Sequence, residues 1–472
     1  MAAPSVGGVM VERVIVVSSD SHAGMPKELW TEYLDSRFHD LLPGLRKDNE
    51  IYPLAISLLG SKHQFDVYPE HEEIHRTGWH GLHDPVLRMA DMDREGVAAE
   101  MVYLGDSRLG DLFHNVTNRE FSLEAWEAGA QAWNRWAADA FGFALDRFLL
   151  TAAIGPCVDM DRTVKELEWV ADHGFTGTYG PGYLHHEGMP PLSNRYWNPF
   201  WEKCEERNLA VIVHAGFGTQ QGAVFPEVER IYNDVVKAAN STDTDELFAH
   251  AGAVSDESLQ FFFNFLNRSV DARRPMWQMM LAGVFDRYPG LRYMPTEIRL
   301  DWIPATLAHL DRFYEEHRTD LPAKRKPSEY WHSNCMAGAS FIHKAEVEMR
   351  HEIGVETMLF GRDYPHPEST WPNTRAWWRD AFEGVPEDEL RLILGENAIR
   401  FLNLDRDRLV EIARRIGPTV DEIHAGEPVE GALLESFALR GGYLKPAEGD
   451  LQIPEVDRVL REDVAAMAAA RV

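Results

Sequence analysis

An aspartate and a histidine two residues apart, Asp20 and His22, stand just after the apolar run Val14-Ile15-Val16-Val17. Residues two apart on a strand point the same way, so one cation can be gripped by both. His214 follows Leu209-Ala210-Val211-Ile212-Val213, Glu297 comes just after Leu291-Arg292-Tyr293-Met294, and Asp363 comes just after Thr357-Met358-Leu359-Phe360. Imidazoles and carboxylates together suit zinc, manganese or iron. Singly, each residue has a plainer explanation. A strand-end histidine is commonly a hydrogen-bonded structural residue, and an aspartate before a helix is commonly an N-cap, which is one reading of Asp363. Five of them, each where an apolar run stops, point instead to one metal site. Asp20, His22, His214, Glu297 and Asp363 are the expected ligands, with Glu297 and Asp363 also the expected catalytic groups. His63, His80, His83 and His366 are candidates for a second metal or for supporting the first.

Residues so far apart in sequence need a scaffold that gathers strand ends. Further short apolar runs end in polar residues or glycine: Glu100 to Leu104, Phe148 to Ile154, and Phe175 to Tyr179. Between the runs lie amphipathic stretches, among them Ser122 to Phe141, Asp161 to Asp172, Pro199 to Arg207, Leu300 to Glu316 and Glu387 to Leu402. Near-continuous apolar strands alternating with helices imply a parallel sheet buried on both faces. The pattern predicts an α/β fold, a (β/α)8 TIM barrel over residues 1–404, in which strand ends converge on one mouth. Seven strands are legible, and Tyr330 to Phe341 is the candidate for the eighth. Insertions at about 40–90 and 217–255 fall after the first and fifth strands, where lids and binding loops belong. Residues 405–472 form a C-terminal extension. Its apolar periodicity needs a surface to cover, on the barrel's flank or on a partner, and a homodimer is expected.

Composition narrows the field. The formal charge of −29 repels phosphate backbones and argues against a nucleic-acid partner. Three scattered cysteines, Cys157, Cys204 and Cys335, make neither a disulfide framework nor a metal knuckle. No apolar run reaches the roughly 20 residues of a membrane span, and the N-terminus lacks a secretory signal pattern. A cytoplasmic protein without membrane contact is expected. Phe65, Tyr68, Trp79, Tyr103, Phe217, Tyr364 and Trp371 would suit a hydrophobic organic acid or its thioester as substrate, although core and lid packing is the commoner reason for such aromatics.

Several motifs bring a resemblance: Asp-Ser-His at 20–22, Asp-Met-Asp-Arg-Glu-Gly-Val at 91–97, Trp-Asn-Arg-Trp at 133–136, Val-His-Ala-Gly at 213–216, Phe-Gly-Arg-Asp-Tyr-Pro-His at 360–366, and Leu-Gly-Glu-Asn-Ala at 394–398. From Val14 to about Leu404 the chain resembles the amidohydrolase-related family of metal-dependent barrels, which includes decarboxylases of organic acids. The resemblance implies a metal at Asp20, His22, His214 and Asp363. It departs at the end of strand six, where the decarboxylases carry a histidine and this chain has Glu297. That departure, with Asp-Ser-His-Ala-Gly-Met-Pro at 20–26, the long first insertion and the tail, is similar to a branch of nonheme diiron monooxygenases. The branch implies two irons, dioxygen, and hydroxylation of a hydrophobic organic acid or its CoA thioester. The alternative is a zinc or manganese hydrolase or decarboxylase of a small organic acid, ester or amide. A non-catalytic binding barrel would have lost ligands, and none of the four is missing.

Overall fold

A computed structural model describes residues 12–45, 80–105, 112–113, 121–182, 188–215, 270–339, 341–366, 369–425, 428–440 and 452–469. Among them nine short strands make one parallel sheet: β1 (Val17–Ser18), β2 (His22–Ala23), β3 (Ala99–Leu104), β4 (Phe148–Ala152), β5 (Gly177–Tyr179), β6 (Ala210–His214), β7 (Tyr293–Thr296), β8 (Ala337–Gly338) and β9 (Met358–Leu359). β1 and β2 are two halves of one stave, interrupted at Asp20, and both pair with β3. The ring closes where Ser19 N donates to Phe360 O at 2.7 Å and Ser21 bridges Tyr364 in parallel. The result is a (β/α)8 barrel.

The strands form where apolar runs can be buried on both faces; every residue of β3, β4 and β6 is buried. Local signals set the helices between them. In α1 (Pro85–Glu95), Asp84 accepts from the backbone N–H of Val86 and Leu87, Pro85 occupies the first turn, and Gly96 ends the helix at φ +86°. Ser122 caps α2 (Leu123–Phe141) and Asp159 caps α3 (Met160–Asp172). α4 (Asn198–Glu206), α5 (Val270–Leu281) and α6 (Ile303–His317) complete the part of the outer layer used below.

Two expectations need correction. The stretch Tyr330 to Phe341 is not one strand: α7 (Pro327–Asn334) takes its first part, and only Ala337–Gly338 pairs as β8. Pro327 and Glu329, whose carboxylate accepts from Lys326 N at 2.8 Å, start the helix that overrides the strand pattern. Gly338 then sits so tightly that a Cβ would come within 2.6 Å of Ser19 Oγ and 2.8 Å of Thr296 Oγ1. The first insertion also ends earlier than expected, because α1 begins at Pro85. Residues 46–79 of it, and the whole span 217–255, lie outside the described residues.

The tail begins after a left-handed Asn403 at φ +57°. α8 (Arg406–Ile416) lies against α1, and the terminal helix α9 (Ile453–Ala469) lies against α5 and α6. Its described part therefore covers the barrel's own flank. No described helix is long and apolar enough to cross a membrane. All three cysteines are free and buried.

Candidate metal centre

The break between β1 and β2 places Asp20 at the mouth, and His22 resumes pairing two residues later. His214 ends β6. Glu297 and Asp363 follow β7 and β9 and both adopt left-handed backbone, at φ +53° and +52°. Such a conformation costs a non-glycine residue on the order of 1–2 kcal/mol. It persists because neighbours fix it: Glu297 N donates to Gly338 O at 2.9 Å, and Asp363 N donates to Asp20 O at 3.0 Å.

The Nε2 atoms of His22 and His214 lie 3.2 Å apart, and Asp20 Oδ1 is 3.5 Å from each. Asp363 Oδ1 is also 3.5 Å from His22 Nε2 and 3.2 Å from His366 Nδ1. The His366 ring stacks on His22 at 3.9 Å, whereas His214 meets His22 edge-on at 4.9 Å. Two groups able to hold a cation result, Asp20–His22–His214 and His22–Asp363–His366. Donor atoms about 2.1 Å from one ion stand roughly 3.0–3.4 Å apart, and the first triangle, with edges of 3.2, 3.5 and 3.5 Å, is close to that size.

Buried, unmet polar atoms support the same fit. Both Asp20 carboxylate oxygens and His22 Nδ1 have no hydrogen-bond partner among the described residues, in a place that water does not reach. Burial alone would raise the Asp20 pKa, but His214 and His22 hold it at about 2. Burial, and then His366, push His22 down to about 3. Asp20 is thus an anion and His22 a neutral imidazole at neutral pH, the forms that bind metal. Burial works against a proton on His214, yet Glu297 and then Asp20 raise its pKa above the usual value.

Glu297 belongs to neither group. Its Oε2 stands 3.1 Å from His214 Nδ1. A proton on Nδ1 leaves the Nε2 lone pair facing His22 and Asp20, the arrangement in which a carboxylate orients a metal-binding histidine. Tyr103 frames the floor: its ring lies 5.3 Å from His214, and its hydroxyl donates to Ser19 O at 2.9 Å. Of the other expected residues, His80 and His83 flank a short turn with their rings 6.3 Å apart, and neither joins a candidate group among the described residues. His63, Phe65, Tyr68, Trp79 and Phe217 lie outside the described residues.

Comparison with solved structures finds the same fold in several barrels. One is 5-carboxyvanillate decarboxylase from Sphingomonas paucimobilis, at 19% identity and TM-score 0.53, covering 83% of this chain and all of that one. A second is an amidohydrolase from Mycobacterium avium subsp. paratuberculosis K-10, at 18% and 0.54, covering 82% of this chain and 99% of that one. A third is a dihydroxybenzoic acid decarboxylase from Polaromonas sp. JS666 with bound manganese, at 18% and 0.50, covering 84% and 99%. No curated protein matches the chain by sequence. A family model described as amidohydrolase matches residues 62–404, ending where the resemblance was expected to end but starting after Asp20 and His22. The chain belongs to the amidohydrolase family.

Proposed function

We propose that this protein is a divalent-metal enzyme that breaks a carboxyl or acyl bond of a small organic acid, with non-oxidative decarboxylation of an aromatic acid as the preferred reaction. The single observation that carries the metal is the triangle of Asp20 Oδ1 and the two Nε2 atoms of His22 and His214, buried with both oxygens of Asp20 unmet. Asp363 completes the ligand set. The choice of reaction draws on the decarboxylases that share this fold, one of them with manganese. A bound divalent ion would act as a Lewis acid, polarising a substrate oxygen. Asp20 and His22 supply charge and lone pairs without a prior proton loss, given their low pKa values. Glu297 holds the His214 tautomer and, at 7% exposure beside the mouth, is placed to exchange a proton with substrate.

A second reading rests on His366. Its contact with Asp363 creates a second triad, which would suit two irons and dioxygen activation, on an organic acid or its CoA thioester. Metal analysis and turnover under argon separate the two. Protein purified without chelators and reloaded with manganese or zinc should bind one equivalent and release carbon dioxide from hydroxylated benzoic acids without oxygen. His22→Ala should lose most of the metal. Two irons per chain with oxygen uptake would replace the decarboxylase reading by the oxygenase, and full metal occupancy in His22→Ala would remove the site assignment.

A further inference from the structure

Glu100 is a charged residue in the middle of an apolar strand, and the structure buries it completely. Side chains alternate along β3. Tyr103 faces the site, so Glu100 faces the opposite way, between the barrel and α1. Glu100 Oε1 accepts from Arg88 Nε, while Oε2 accepts from Arg362 Nε at 2.9 Å and Nη2 at 2.6 Å. Arg362 also donates to Glu95 Oε2 at 2.7 Å, and the other Glu95 oxygen accepts from Thr374 N at 3.0 Å. Two arginines and two glutamates form a charge-balanced quartet, none more than 2% exposed.

Each arginine leads to a different candidate ligand. Arg88 Nη1 donates to the backbone oxygen of His22 at 2.5 Å. Arg362 immediately precedes Asp363, and its own N–H donates to Ser18 Oγ at 3.0 Å. The ring of Tyr364, the residue after Asp363, lies under both guanidiniums, 4.9 Å from Arg88 and 4.5 Å from Arg362. One carboxylate therefore ties together the first, second and last staves just outside the site. An apolar filling would serve stability as well, since a buried ion pair against a hydrophobic replacement is often neutral. What an apolar filling cannot do is hold His22 and Asp363 at a set distance through two directed contacts.

We infer that Glu100 is a positioning residue: through Arg88 and Arg362 it sets the spacing between His22 and Asp363, and hence the geometry and affinity of the metal centre. This inference rests on the metal reading above. Glu100→Asp tests it, because the charge stays and only the reach shortens. Cobalt(II) serves as the probe, with binding measured by competition against a chelator and ligand geometry read from the visible absorption of the cobalt-loaded protein. Outer partners of metal ligands typically matter by roughly 10- to 100-fold in affinity, and a loss of that size with a changed spectrum is expected. Asp463→Asn, which disrupts the ion pair between a buried aspartate and the partly exposed Arg274 on another flank, should lower Tm and leave cobalt affinity and spectrum as in the parent. Should Glu100→Asp be recovered unfolded, Arg88→Lys carries the same expectation, because an ammonium cannot reach His22 and Glu100 in the fork geometry of a guanidinium. A folded variant with parental affinity and spectrum would reduce the quartet to a structural element. A parent chain that takes up no cobalt would instead overturn the metal reading itself.

Discussion

Asp20 and Asp463 are both fully buried aspartates, and the chain treats them in opposite ways. On the flank, Asp463 of α9 accepts from Arg274 Nε at 2.9 Å and Nη2 at 2.7 Å, from Trp277 Nε1 at 2.8 Å and from Gln278 Nε2 at 2.8 Å. Every oxygen is met, and the result is a docked helix. At the mouth, the Asp20 carboxylate stands 3.5 Å from two imidazole nitrogens, at the outer limit of a hydrogen bond. A buried carboxylate left unmet costs stability. One aspartate is met by fixed donors of the fold, and the proposed cation would supply what the other lacks.

The contrast breaks most visibly in a pair of variants. Asp20→Asn should abolish metal binding yet leave the Tm of metal-free protein nearly unchanged, because few native contacts are lost. Asp463→Asn should destabilise by about 2 kcal/mol, since hydrogen bonds to charged groups are worth about 1.5–3 and Arg274 is partly exposed. Thermal unfolding of both, with and without metal, checks this; an Asp20→Asn protein as unstable as Asp463→Asn would make the two aspartates alike.

Glu297→Gln comes next in size. An amide oxygen can still accept from His214 Nδ1, so the metal should stay while turnover falls by roughly 10²- to 10⁴-fold, the usual worth of proton-transfer assistance. Elemental analysis beside steady-state rates decides it, and loss of one metal equivalent would make Glu297 a ligand. The smallest effect belongs to Tyr103→Phe. It removes one buried hydrogen bond to Ser19 O, worth about 1 kcal/mol, and chemical denaturation should register that cost with metal affinity unchanged.

Much of this arrangement was legible in the residues alone, for a physical reason. Strands buried on both faces must be continuously apolar, so Asp20, His22, His214 and Asp363 stood out as polar residues where such runs stop. The eighth stave was hidden because its two residues, one of them Gly338, carry almost no pattern, and the helix before it is richer in aromatics than the strand. The direction of Glu297 was hidden as well: its left-handed backbone breaks the alternation from which side-chain facing is read. His366 shows its place only once the last strand stands beside the first. The quartet did leave a signal, since a glutamate opening the run Glu100 to Leu104 needs a buried partner, but nothing in the sequence says which arginine supplies it.

The barrel closes between its two sequence extremes. Arg362 reaches Ser18 across 344 positions, and Asp363 bonds to Asp20 beside it. A chain still emerging from the ribosome carries Asp20 and His22 for most of its synthesis without Asp363 and His366, which face them from the last stave. Contacts of such long range carry a high loop-closure cost, so the cradle is costly to close. A cation with real affinity for it selects completed chains over nearly completed ones, and binding energy gained there is added directly to the stability of closure. Ion supply would then govern how many nascent molecules become durable ones, before any substrate is met.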